Sequence, residues 1–112
     1  MAEPRVTMQT VAVLRVLLSA ADEVYGLDVI KASGLPPGTI YPLLQRLLDA
    51  GWVTDRWESL DPATEKRPAR RYYRLTVSGA SKAQAAIAKA GRRPARLARL
   101  LDMPAPLRAE EG

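Results

Sequence analysis

From Gly34 to Trp57 the chain reads GLPPGTIYPLLQRLLDAGWVTDRW, and this stretch constrains everything around it. Ile40, Leu43, Leu44, Leu47 and Leu48 recur at i, i+3, i+4, i+7 and i+8, which is one face of an α-helix. Tyr41, Gln45, Arg46 and Asp49 fall on the opposite face. Gly51 is placed for the left-handed position that ends a helix, and Val53, Arg56, Trp57 and Glu58 leave in extended form. A helix with an apolar back and a polar, partly basic front is built to present that front to something. Pro42 allows two starts. With Thr39 as N-cap the proline sits in the first turn, where no intrahelical donor is needed. With a start at Pro37 the first turn must be loosened towards 3₁₀ geometry. Either start is expected to leave the amides of Ile40 and Tyr41 open to an anion.

The flanking chain reads in the same way. Met1 to Val6 is expected to be loosely held, and Thr7 to cap a helix over Met8 to Ala21 that is apolar almost all round. So apolar a helix in a small domain predicts packing on its own core and on a second chain. Leu27 to Ser33 forms a second, short helix, with Leu27 and Ile30 inward, Asp28 and Lys31 outward, and Gly34 closing it. Val53 to Leu60 and Ala69 to Leu75 alternate as the two strands of a hairpin. They are joined by the polar tip Asp61 to Pro68. Thr76 caps a helix over Val77 to Ala90, where Val77, Ala80, Ala83, Ala86, Ile87 and Ala90 make a face of mostly small residues suited to close helix approach. Gly91 ends it, and Pro94 opens a last short helix, Ala95 to Leu101, before a tail. The division expected is residues 1–90 as one domain and 91–112 as a short C-terminal helix and tail. The fold class is mainly α with a small β-hairpin.

Composition narrows the function. The 112 residues contain no cysteine and no histidine, which removes disulfides, thiolate chemistry, zinc-finger sites and imidazole acid–base catalysis. No phosphate-cradling glycine loop and no carboxylate pair on an apolar background is present, so an enzyme is not expected, and neither is a cofactor or a metal. No apolar run is long enough to span a membrane and no secretory leader is evident, so the expected location is cytoplasmic. Net charge is +5, and 12 of the 17 lysines and arginines lie between Arg56 and Arg99. Basicity concentrated in this way is the footprint of a polyanion binder, with an ordinary solvated surface as the plain alternative.

Helix, short helix, tight turn, helix, hairpin, helix is the order of a winged helix-turn-helix with flanking dimerisation helices. On the segments YGL at 25–27, PGTIYPLLQRL at 37–47, GWV at 51–53, RPARRYYRLT at 67–76 and Gly79, the chain resembles the PadR-like transcriptional regulators from about Val11 to Ala90. The resemblance implies a bacterial homodimer that represses transcription from a palindromic operator. It also implies that the first helix and the helices after the wing build the dimer. On that basis Val11, Leu14, Leu18, Ala83, Ile87 and Leu97 are the expected interface. Larger members of the family carry a long C-terminal helical domain, whereas about twenty residues follow Ala90 here. Ligand sensing through such a domain is therefore open, and a small-molecule inducer stays a possible partner.

Double-stranded DNA is the expected principal partner. Gln45 suits an adenine edge and Arg46 a guanine edge or a phosphate. The Thr39 and Tyr41 hydroxyls suit phosphate. Lys66 and Arg67 at the wing tip suit the minor groove or backbone, with Arg70 and Arg71 following along the backbone. One of that last pair is alternatively tied to Glu58 or Asp55 across the hairpin. Trp52 reads as core. Trp57 reads first as hydrophobic packing and second as facing a dimer cavity where regulators of this type hold flat aromatic ligands. The competing function, from a different class, is a winged-helix module that joins proteins and no longer binds DNA.

Overall fold

A computed structural model describes residues 3–91. The elements run α1 (Met8–Ser19), β1 (Val24–Tyr25), α2 (Gly26–Ser33), α3 (Pro37–Asp49), β2 (Val53–Trp57), α4 (Pro62–Glu65), β3 (Arg71–Leu75) and α5 (Val77–Gly91). Three strands form one antiparallel sheet in the order β1-β3-β2. The hairpin expected from the sequence is thus joined by a third, two-residue strand, with Val24 opposite Tyr73 and Tyr25 opposite Tyr72.

The core lies between α1, α3, the sheet and α5. From α3 it takes Ile40, Leu43, Leu44 and Leu47, each no more than 3% exposed. At roughly 1.5–3 kcal/mol per buried aliphatic side chain, this one helix face supplies on the order of 6–12 kcal/mol before chain entropy is subtracted. Val13, Leu14 and Leu17 come from α1, Val29 from α2, Val53 and Tyr73 from the sheet, and Ala83 from α5. Trp52 is buried as expected.

Two caps and two glycines fix where elements stop. The Thr7 hydroxyl accepts from the Thr10 amide at 3.2 Å and starts α1. The Thr76 hydroxyl donates to the Gly51 carbonyl at 2.8 Å and accepts from the Gly79 amide at 2.9 Å, tying the end of α3 to the start of α5. Gly34 and Gly51 take φ of +76° and +79°, the left-handed closures that the sequence demands. Gly79 serves a different end: a Cβ there would lie 1.9 Å from the Trp52 carbonyl oxygen, so α5 meets the chain backbone to backbone.

Several expectations are corrected. Val11, Leu14 and Ala83 are no more than 2% exposed within a single chain, because α5 packs directly on α1. They have no surface left to offer a second chain, whereas Leu18 and Ile87 are only half-buried. Leu97 and the helix expected at 95–101 lie outside the described residues. In α2 the core residue is Val29, and Leu27 is 40% exposed. Val77 is 93% exposed at the first position of α5, which runs through Gly91, the last described residue. The first described residue is held: Glu3 accepts from the Trp52 indole at 3.0 Å and from the Lys82 ammonium at 3.2 Å. Both contacts hold the Glu3 carboxyl below its usual range, Lys82 more than Trp52.

Candidate nucleic-acid interface

Helix α3 begins at Pro37, with Pro36 as N-cap and no side-chain cap. The Pro36 carbonyl accepts from Thr39 at 2.9 Å and from Ile40 at 3.0 Å, so the first turn is shared between 3₁₀ and α geometry. The Ile40 amide is therefore occupied, which corrects the expectation of an open amide there. Pro42 sits six residues into the helix and removes the donor that the Gly38 carbonyl would receive. Gly38 is exposed, so its carbonyl is not left in an apolar surrounding.

With the apolar face buried, the helix turns Tyr41, Gln45 and Arg46 to solvent and leaves Thr39 half-exposed. Gln45 Nε2 donates to Asp49 Oδ1 at 2.9 Å, one helical turn on, which steadies the amide along the helix surface. Arg46 makes no ion pair among the described residues. Tyr41 is 43% exposed and leans over Gly26, where a Cβ would lie 3.4 Å from its ring and hydroxyl.

The wing is the β2–β3 hairpin with α4 at its tip. Asp61 builds that tip: its side chain accepts from the Ala63 amide at 3.0 Å and the Thr64 hydroxyl at 3.1 Å. Its carbonyl accepts from the Thr64 and Glu65 amides. Lys66 then turns the chain with φ of +59°, a left-handed conformation that costs a residue with a Cβ roughly 1 kcal/mol. Arg67 Nη1 reaches Glu58 Oε1 at 2.8 Å, and the same oxygen accepts from the Arg70 amide at 3.2 Å. The Arg67 guanidinium first, and the Arg70 amide after it, hold the Glu58 carboxyl below its usual range.

Charge on the wing is largely paired. Arg71 is bound to Asp55 at 2.6 Å, so it is this member of the 70–71 pair that is tied across the hairpin. Arg70 has no ion pair among the described residues, and its guanidinium lies 5.0 Å from the centre of the Tyr25 ring. On the other face of the sheet Arg56 pairs with Glu23, and Arg74 lies 3.4 Å from Asp22. Arg56 also sits 5.0 Å from the Tyr72 ring centre. These two arginines and the Asp22-Glu23 pair were not anticipated as part of the site. The signal for them was Val24-Tyr25, since once those residues are read as a strand against β3 the acids before them come to the sheet's edge. Trp57 is 60% exposed at the end of β2, which corrects the reading of plain packing.

The arrangement is a helix-turn-helix whose third helix is backed by the core, next to a three-stranded sheet with a protruding tip: a winged helix-turn-helix domain. Within that class the family is defined by sequence. The pattern of the transcriptional regulator PadR-like family matches residues 13–85, well over half the chain, and the protein belongs to that family. Among solved structures it is similar to Bacillus subtilis PadR in complex with operator DNA, at a TM-score of 0.63 and 19% identity over 93% of this chain and 58% of that one. It is similar to reduced AbfR bound to DNA, at 0.58 and 21% over 81% and 59%. It is also similar to PcaV from Streptomyces coelicolor in complex with its natural ligand, at 0.61 and 24% over 95% and 69%. At these identities the likeness is one of fold, and the chain spans a little under three fifths of PadR and AbfR. No curated protein matches. Among the described residues no helix is long and apolar enough to cross a membrane.

Proposed function

We propose that this PadR-like regulator is a cytoplasmic repressor that binds a palindromic operator as a homodimer, with α3 in the major groove and the wing on the minor groove or backbone. The observation that carries the reading is the two-sidedness of α3. Ile40, Leu43, Leu44 and Leu47 are buried to within 3%, while Gln45 and Arg46 stand in solvent with the helix axis fixed behind them. Gln45 and Arg46 are the base-reading residues, through an adenine edge and a guanine edge or phosphate. The hydroxyls of Thr39 and Tyr41 serve the backbone, as do Lys66 and Arg70. Arg67 reaches DNA only in competition with Glu58, and Arg71 is held back from it by Asp55. PadR and AbfR, similar in fold, are seen with DNA, which supports the partner.

For the dimer, the surface on offer is a shallow apolar cavity of about 480 Å³ between α1 and α5, lined by Arg15, Leu18, Ser19, Gln84, Ile87 and Ala88. Leu18 and Ile87 supply its apolar part. PcaV is seen with a natural ligand, and by that likeness a small-molecule inducer belongs to the proposal.

Titration against random duplex DNA at two salt concentrations tests the reading. Binding at low salt that weakens steeply with added salt is expected, because phosphate neutralisation releases counterions. No binding at low salt overturns it in favour of a protein-joining module.

A further inference from the structure

Arg71 stands where a DNA-contacting cation is expected, yet its surroundings point inward. The register sets Asp55 opposite Tyr73 and Trp57 opposite Arg71. These four residues share the core-facing side of the sheet, at the corners of a square. The Arg71 guanidinium lies 5.1 Å from the centre of the Tyr73 ring and 5.5 Å from that of Trp57. Its Nε donates to Asp55 Oδ2 at 2.7 Å, and its Nη2 lies 2.6 Å from the same oxygen as an ion pair. The side chain is 32% exposed, against an exposed Arg70 one residue earlier with a single ring contact and no ion pair among the described residues.

Three corners of the square face towards α3, whose Tyr41 stands across a cleft from them. Arg71, Trp57 and Tyr73 line, together with Tyr41 and Gly26, a cleft of about 240 Å³ between wing and α3. The Tyr73 and Tyr41 rings converge there on one point: a Cβ at Gly26 would lie 3.2 Å from the first and 3.4 Å from the second. A guanidinium is planar, weakly hydrated and carries several donors, so it can lie near two rings and chelate a carboxylate at once; an ammonium cannot do both.

We propose that Arg71 is a positioning residue for DNA recognition: it locks the wing against the first turns of α3 and sets the angle between the two, and it does not itself neutralise a phosphate. The inference rests on the DNA-binding reading above and names how its two contact surfaces are held in register.

The test measures binding of the selected operator and of random duplex across a salt series, for the unaltered chain, Arg71→Lys, Arg71→Gln, Asp55→Asn and the double variant Arg71→Gln/Asp55→Asn. Loss of the stacked ion pair is expected to weaken operator binding about tenfold in Arg71→Lys as well as in Arg71→Gln. Random-duplex affinity stays within about twofold and the salt slope within a few tenths, because no phosphate contact is removed. Asp55→Asn gives a similar loss, and the double variant is no worse than either single change, since all three break the same unit. A phosphate contact predicts otherwise: lysine rescues, glutamine lowers the slope by about 1, and Asp55→Asn tightens binding by freeing the guanidinium. Any of these three results overturns the proposal while leaving DNA binding intact. Absence of duplex binding by the unaltered chain overturns both.

Discussion

Helix α3 is anchored along a whole face by side chains that have left water, whereas the hairpin β2–β3 buries only Val53 and Tyr73 and is otherwise held by charges towards its rim. Behind α3 stand Ile40, Leu43, Leu44 and Leu47, with the Gly79 backbone pressed against Trp52 beyond them. Along the hairpin the contacts are Arg67 with Glu58, Arg71 with Asp55, Arg56 with Glu23 and Arg74 with Asp22, most of them a quarter or more exposed. Burial is indifferent to salt and nearly so to pH. Exposed ion pairs respond to both and contribute little each, about 0–1 kcal/mol. Of the two, α3 is predicted to respond less to salt and pH, and the wing more.

Breaking the apolar anchor has the largest expected effect. Leu44→Ala is predicted to lower the free energy of unfolding by about 2–5 kcal/mol in chemical denaturation, through lost transfer energy plus the cavity left behind. A loss below 1 kcal/mol would mean that α3 is not held by burial. Gly79→Ala comes next, at about 1–3 kcal/mol, because the added methyl meets a backbone carbonyl that cannot rotate away. An unchanged denaturation midpoint would show that α5 does not approach Trp52 so closely.

Arg46→Ala leaves the fold alone and acts on the exposed side. Its stability is predicted to stay within about 0.5 kcal/mol of the parent. DNA affinity falls at every salt concentration, with a slope reduced by about 1 if the contact is to phosphate. A parental affinity would remove Arg46 from the interface.

The smallest effect belongs to the wing. The folded-state pKa of Glu58 is lowered from 4.5 by Arg67, so its contribution is present above pH 4.5 and is lost as pH falls below that value. In Glu58→Gln the melting temperature should drop less than the parent's on acidification from pH 6 to pH 3. Parallel profiles would show that this pair does not stabilise the wing.

What the sequence made legible follows the same division. Contacts set by local spacing were readable: the buried face of α3, the Thr7 and Thr76 caps, and the left-handed Gly34 and Gly51, each dictated by residues within a few positions. Contacts between distant segments were not. Two residues, Val24 and Tyr25, carry no strand periodicity of their own and become a strand only because β3 lies beside them. Glu3 finds Trp52, and Arg56 finds Glu23, only through the fold. Apolarity all round α1 pointed to two packing partners. One of the two is α5 of the same chain, which is why Val11, Leu14 and Ala83 are spent inside the protomer. At the site, the exposed face of α3 was legible from helical phase, but which wing cations are already held by carboxylates was not.

The central claim is that the exposed face of α3 reads DNA sequence. Selection of preferred duplexes from a random pool, run in parallel with the unaltered protein and with Gln45→Ala, tests it most directly. The account predicts a defined preferred sequence for the first and a relaxed or altered preference at one position of each half-site for the second. An identical preference in both would contradict it.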